Sequence, residues 1–419
     1  MQTQKVVIVG QGYVGLPVAM RAVAQGYDVV GLDLNQLRVS QLSNGISYVE
    51  DVSEAELRTA LETGRFHPSS RYEDAQDFDF AVISVPTPLN ESIPDLSFIE
   101  SAGESLAPHV RSESTVILES TTYPGTTEEL LVPVLEQGSG LKAGRDFSVG
   151  YSPERIDPGN AIWNFQNTPK VVSGVDERST ERVIRFYKSL VDVVVPVKSP
   201  REAELTKLLE NTFRHVNVAL VNELAMFGHQ LGVDVWNAIE AAGTKPFGFM
   251  KFTPGAGVGG HCLPVDPSYL LWEVRRKLGK GFRFVELAND INDHMPDYVV
   301  QRLMIGMNER SKALRGSKIL LLGLSYKAGT GDIRESPSMK VMTALKELGA
   351  DVYALDPFVD EAIWPTTAKR VESTRQVGDI DAAILLVDHP NVDYSGLNEA
   401  ECYVLDVRNR ISGENVEHL

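Results

Sequence analysis

Short apolar runs, each closed by a glycine or an acid, recur along the chain and alternate with longer stretches of helical spacing. Lys5 to Val9 is the first, an unbroken run of strand length with Gly10 after it, as expected for a strand covered on both faces of a parallel sheet. A helical stretch follows through Ala24, then Gly26, then a second strand from Asp28 to Leu32 that closes on Asp33. This is a βαβ unit. Further strand-like runs at Phe80 to Val85, Thr115 to Glu119 and Phe147 to Tyr151 alternate with helical segments and predict a doubly wound sheet. Around Pro200 the pattern changes. Helical spacing holds from Glu202 through Leu231 and from Asp234 to Ala242, a loop occupies residues 243–267, and more helix is expected from Ser268 to about Leu314.

From Ser317 the opening theme returns. Lys318 to Leu322 is again a strand followed by glycine, Gly349 again precedes a strand, and that strand again closes on an acid, Asp356. The first strands start 313 residues apart (5 to 318) and the acids lie 323 apart (33 to 356), so the second copy carries ten extra residues in its connection. They include Ser325 to Arg334, either a ligand loop or a plain surface insertion. The expected fold class is α/β, with two Rossmann-like doubly wound domains, 1–199 and 315–419, joined by a long central helix and a helical middle domain, 200–314.

A chain of 419 residues agrees with two or three domains, each large enough for its own core. Forty basic and 57 acidic residues leave a net charge of −17, which argues against nucleic acid and acidic membrane surfaces as partners. No run of about 18 apolar residues occurs, and Met-Gln-Thr-Gln-Lys leads straight into a strand, so a cytoplasmic protein is expected. The two cysteines, Cys262 and Cys402, form no Cys-x-x-Cys pair, so neither a disulfide framework nor a metal site is indicated. Cys402, next to the apolar run Tyr403 to Val407, is expected to be inert core.

Gly10-Gln-Gly12-Tyr13-Val14-Gly15 follows a strand, opens a helix, and has an acid 23 residues after Gly10. That context turns a weak pattern into a dinucleotide site. Gly10 permits the tight turn, Gly12 lets the pyrophosphate approach the backbone, and Gly15 lets the helix pack closely on the strand. Asp33 would accept from ribose hydroxyls and repel a 2′-phosphate, favouring NAD over NADP, although Arg38 nearby pulls the other way. The second copy lacks the third glycine and carries Lys327 and Arg334 instead, with Arg408 after a later strand. Those cations suit a diphosphate ligand, while each alone reads equally as a solvated surface charge.

Residues 255–267, Gly-Ala-Gly-Val-Gly-Gly-His-Cys-Leu-Pro-Val-Asp-Pro, set Cys262 in a glycine-dense turn with Asp266 four positions on. The cysteine is either a nucleophile or an ordinary buried thiol. Upstream, Glu204, Lys207, Asn211 and Arg214 share one helix face, as a solvated stripe or as a lysine and asparagine suited to an oxyanion and its water. A nicotinamide can take hydride from an alcohol, and a thiol can trap the aldehyde so that a second hydride leaves. A simple alcohol dehydrogenase, or a one-step hydroxy-acid dehydrogenase, has no use for the cysteine.

Seven segments carry a resemblance: Gly10-Gln-Gly-Tyr-Val-Gly-Leu, Val85-Pro-Thr-Pro, Glu119-Ser-Thr-Thr-Tyr-Pro-Gly-Thr, Ser152-Pro-Glu-Arg-Ile-Asp-Pro-Gly, Glu204-Leu-Thr-Lys-Leu-Leu-Glu-Asn, Gly259-Gly-His-Cys-Leu-Pro-Val-Asp and Gly323-Leu-Ser-Tyr-Lys. In this order they resemble the nucleotide-sugar 6-dehydrogenases, the UDP-glucose and UDP-N-acetylhexosamine dehydrogenase family, over nearly the whole length. The resemblance implies four-electron oxidation at C6 of a UDP-sugar, two NAD reduced, and a uronic acid released. It implies Cys262 as the nucleophile forming a thiohemiacetal and then a thioester, and Lys207 as the cation at the oxyanion. Asn211 and Asp266 match residues that order water and relay the proton, and Glu154 and Thr121 match those beside the reacting carbon. Thr87 and Arg334 match cofactor contacts, and Lys327 and Arg408 fall where the family binds UDP. A dimer or higher homo-oligomer built on the central helix is also implied.

For the sugar, Thr244 to Gly255, Asn211 to Asn217 and Ser152 to Arg155 look closest to the UDP-N-acetylglucosamine branch, with UDP-glucose as the alternative. Arg214 would donate to an acetamido group, and Arg155, Phe249 and Gly259 join the expected substrate residues. Lys251 and Ala256 depart from the branch pattern, where proline is expected at Lys251. His261 either tunes the thiolate or shapes the turn. A nucleotide-sugar-binding regulator without catalysis is disfavoured, because Cys262, Lys207, Asn211 and Asp266 are all present.

Overall fold

The computed structural model describes residues 3–90, 93–156, 160, 162–260, 262–377, 380–390, 392–397 and 401–419. The chain divides into two compact units, residues 1–210 with 272–278, and residues 211–271 with 279–419.

In the first unit, Lys5–Val9 lies inside an eight-stranded sheet, paired in parallel with Asp28–Leu32 on one side and Phe80–Ile83 on the other. By first residue the strand order is 194-170-148-115-80-5-28-66, and the step from Ser148–Tyr151 to Lys170–Gly174 is antiparallel. Alternation along the central strand explains its unbroken apolar character. Val6 and Ile8 pack with Leu16 and Phe186 on one face, while Val7 and Val9 pack with Ile99 and Leu135 on the other.

In the second unit, six parallel strands run in the order 369-351-318-382-403-416. Ile319 and Leu321 pack on Met295, Val299 and Leu303 of the helix Arg283–Glu309, while Leu320 and Leu322 face Leu385 and Val404. Gly306 of that helix lets it close on the sheet, since a Cβ there would stand 2.2 Å from Tyr403 Cζ. The internal repeat is real in three dimensions: Lys5–Val9 corresponds to Lys318–Leu322, and Asp28–Leu32 to Asp351–Leu355. Gly10 and Gly323 share positive φ angles of +92° and +88° at the same turn.

The helix Pro200–Leu231 belongs with its first turns to one unit and with the rest to the other. Two expectations for the middle of the chain are corrected. The loop ends before Cys262, because a helix runs Cys262–Leu278 despite its prolines. Pro264 sits in the first turn, where its missing N–H has no helical partner to lose. Helix is also not continuous to Leu314: it stops at Leu278, turns on Gly279 with φ +62°, resumes at Arg283 and ends at Glu309.

Candidate functional site

At the dinucleotide fingerprint, local geometry follows the glycines. A Cβ on Gly15 would stand 1.8 Å from the Gly10 carbonyl oxygen, so no other residue allows helix Gly15–Ala24 to start there. A Cβ on Gly12 would meet nothing within 4 Å, so space stands open beside the loop. The helix has Val14 at its N-cap with no side-chain cap, and Tyr13 is half exposed. The Asp33 carboxylate accepts from Gln11 N at 3.0 Å and Asn35 N at 2.9 Å, which ties the acid to the glycine loop. Arg38 reaches Asp33 Oδ2 at 3.4 Å and lies over the Tyr48 ring, so its charge is shared with the acid. Tyr48 donates to Gln11 O at 2.7 Å, and burial, reinforced by Asp33, pushes its hydroxyl up to about 12. Open space, uncapped helix amides and a terminal acid fit a dinucleotide. Thr87 is buried.

The long helix brings the predicted residues into two bonded pairs, one in each unit. Lys207 Nζ donates to Thr121 Oγ1. Asn211 Nδ2 donates to Asp266 Oδ2 at 2.6 Å, with Asp266 buried and four residues into the helix that begins at Cys262. The side chain of Cys262, and His261 altogether, lie outside the described residues. Glu204 does not join a polar stripe. It is fully buried and accepts from Gly125 N at 2.6 Å, Thr127 N at 2.9 Å and Thr127 Oγ1 at 2.7 Å. Burial pushes its carboxyl up to about 7. Arg214, two turns on from Lys207, is exposed.

Glu154 is buried, and its Oε1 accepts from Arg155 N at 2.7 Å and Ile156 N at 2.8 Å. Its Oε2 accepts from Lys170, also buried. Arg155 is engaged within the protein: it forks onto Glu210 at 2.6 and 3.1 Å and donates to Pro169 O. Lys170 had no sequence signal. It opens an apolar strand and reads there as an edge lysine.

In the second unit the glycine loop is shaped by neighbours within the protein. A Cβ on Gly259 would stand 2.7 Å from Glu335 O and from Pro337 Cδ, and one on Gly260, at φ +80°, would stand 2.6 Å from the Tyr326 ring. Gly255 N donates to Asn222 Oδ1 at 2.9 Å, and Asn222 in turn donates to Asn292. Half-buried Arg408 reaches Pro254 O at 3.5 Å, and burial holds its guanidinium below the usual arginine value. Arg334 is exposed and forks onto Asp332 at 3.0 and 2.6 Å, while Lys327 is half-buried. Asp356 accepts from Leu324 N at 2.8 Å and Ser325 N at 3.0 Å, repeating the bond that Asp33 makes to its own glycine loop. Phe249 is 41% exposed. Cys402 is buried in the apolar cluster around Leu322 and Val404, and burial pushes its thiol up, as inert core requires. Among the described residues no helix is long and apolar enough to cross a membrane.

Three family models match the chain in order: the NAD binding domain of the UDP-glucose/GDP-mannose dehydrogenase family at residues 4–191, its central domain at 201–294 and its UDP binding domain at 320–413. UDP-N-acetyl-D-glucosamine 6-dehydrogenase of Pseudomonas aeruginosa is 37% identical, covering 97% of each chain. UDP-N-acetyl-D-mannosamine dehydrogenase of Pyrococcus horikoshii is 35% identical, covering 97% of this chain and 96% of that one. The solved structure of a UDP-D-ManNAc dehydrogenase from Pyrococcus horikoshii superposes with a TM-score of 0.89 at 32% identity, covering 99% of each chain.

Proposed function

The chain belongs to the UDP-glucose/GDP-mannose dehydrogenase family, and from that premise we propose that it oxidises C6 of a UDP-N-acetylhexosamine, UDP-N-acetylglucosamine foremost, to the uronic acid through a thioester on Cys262. It is an NAD-dependent nucleotide-sugar dehydrogenase. The observation that carries the reading is the pairing of Lys207 with Thr121 and of Asn211 with Asp266, four residues drawn from three separate motifs.

Bound NAD supplies the hydride acceptor for each of the two oxidations. The chain's residues do the rest. Asp33 holds the adenosine ribose, with Thr87 and Arg334 as further cofactor contacts. The Cys262 thiolate adds to the C6 aldehyde, and the Lys207 ammonium faces the oxygen that gains charge. After the second oxidation Asn211 orients the water that cleaves the thioester, and Asp266 takes its proton. Glu154 and Thr121 stand beside the reacting carbon. Lys327 and Arg408 hold the diphosphate, while Arg155, Arg214, Phe249 and Gly259 contact the sugar, Arg214 through the acetamido oxygen. Residues 1–199, 200–314 and 315–419 divide these tasks between cofactor, thiol and UDP. A homodimer is part of the proposal, since the long helix leaves Leu209, Phe213, Leu220, Leu224 and Phe227 exposed.

The relatives named above differ at C2 of the sugar, and UDP-glucose is the alternative substrate. NADH formation across UDP-N-acetylglucosamine, its C2 and C4 epimers and UDP-glucose tests the choice. The proposal expects the highest kcat/KM on UDP-N-acetylglucosamine, and a higher value on UDP-glucose overturns it.

A further inference from the structure

Lys170 starts the strand Lys170–Gly174 and is only 3% exposed, an extreme position for an ammonium. It lies between two carboxylates, with Nζ 2.7 Å from Glu119 Oε1 and 2.7 Å from Glu154 Oε2. Tyr187, from the helix Glu177–Leu190, donates to Glu119 Oε1 at 2.6 Å. The Phe165 and Tyr187 rings close the group, each with its centroid 5.3 Å from Nζ. One cation and two carboxylates leave one negative charge uncompensated in a buried site, where that is costly. The two acids are not equivalent. Glu154 receives two backbone N–H groups as well as the ammonium, whereas Glu119 has one oxygen with no hydrogen-bond partner among the described residues. The charge therefore settles on Glu154 and the proton on Glu119. Burial pushes Glu119 up; it acts the same way on Glu154, where Lys170 and the backbone donors outweigh it and hold the carboxyl below its usual value.

We propose that Lys170 is a positioning residue that keeps the Glu154 carboxylate ionised and fixed in direction, with Glu119 as the neutral acid that completes the buried group. This rests on the reading that places Glu154 beside the reacting carbon. If the group only joined strands, its loss would lower stability and leave the pH dependence of turnover in place. With Lys170 as the source of ionisation, Glu154 would take up a proton at higher pH once the ammonium is gone. Among the described residues, the groups facing Glu154 are Lys170, Glu119 and Tyr187, together with the backbone of Arg155 and Ile156.

The test is the pH profile of kcat/KM, with UDP-N-acetylglucosamine and NAD, for the full-length enzyme and its E154Q, K170M and E119Q variants, each checked for NAD binding. In K170M the acidic limb is expected to move up by about one pH unit or more, with kcat falling more than KM rises. In E119Q, which mimics the neutral acid, the limb is expected to stay in place. E154Q should remove the limb; if it keeps the wild-type profile, the reading of Glu154 falls and the proposal with it. If E154Q removes the limb while K170M leaves it in place, the proposal alone falls. Should K170M not fold, E119Q decides, since a shifted limb there would mean that Glu119 carries the charge.

Discussion

Asn211 Nδ2 donates to Asp266 Oδ2 at 2.6 Å, joining the long helix to the helix that begins at Cys262. Asp266 is almost wholly buried, so its carboxylate is held in direction by this bond. Asp266→Asn keeps the shape but removes the proton acceptor. It is expected to lower kcat by about 100-fold or more with a small change in KM for the UDP-sugar. Steady-state kinetics check this, and unchanged kcat would remove Asp266 from the proton path.

Lys207 meets Thr121 through its ammonium. Lys207→Ala is expected to cost kcat on the order of 100- to 1000-fold, the usual loss for one donor at a developing oxyanion. Single-turnover measurement would place that loss in the chemical steps, and a loss confined to KM would contradict the assignment.

Asp33 serves both the loop and the expected ribose. Asp33→Ala removes the acceptor of Gln11 N and the negative charge that repels a 2′-phosphate. The NAD KM is expected to rise about tenfold or more, as a charged hydrogen bond is worth roughly 1.5–3 kcal/mol, with NADP gaining relative to NAD. Unchanged selectivity in a two-cofactor assay would show the contact to be misplaced.

Glu204 offers a pH prediction about stability. Its carboxyl is raised by burial to about 7, above the ordinary value of 4.5 that it keeps in the unfolded chain. A group raised in the folded state stabilises fully below its unfolded pKa, and that contribution is lost as pH rises through the folded one. The melting temperature is therefore expected to fall from about pH 5 to about pH 8, the Glu204 share being roughly 1–3 kcal/mol. Glu204→Gln should flatten that slope, and an unaltered slope in the variant would exclude Glu204 as its source.

Most of the two sheets was legible in the sequence, because strands buried on both faces must be apolar at every position. Lys5–Val9, Asp28–Leu32 and Lys318–Leu322 fall where the apolar runs and their closing residues put them. The helix start at Cys262 was not legible. Two prolines and a run of glycines look like loop; Pro264 falls in the first turn, where no helical bond is lost, while Pro267 lies inside the helix and is carried by the turns around it. At Gly259 and Gly260 a side chain is excluded by neighbours from the same chain, Tyr326, Glu335 and Pro337, which their distance in sequence kept hidden. Side-chain destinations were hidden wherever partners are distant in sequence. Nothing near Lys170 announces Glu119, 51 residues earlier (119 to 170), and helical spacing placed Glu204 on a polar face although it turns inward to the Gly125 turn.

The central claim is two oxidations joined by a covalent intermediate on Cys262, and the amount of NADH formed per UDP-sugar consumed tests it most directly. The wild-type enzyme is expected to yield two NADH and one uronate per sugar, and Cys262→Ala to form no uronate. One NADH per sugar with free aldehyde as the product, or full uronate formation by Cys262→Ala, would contradict it.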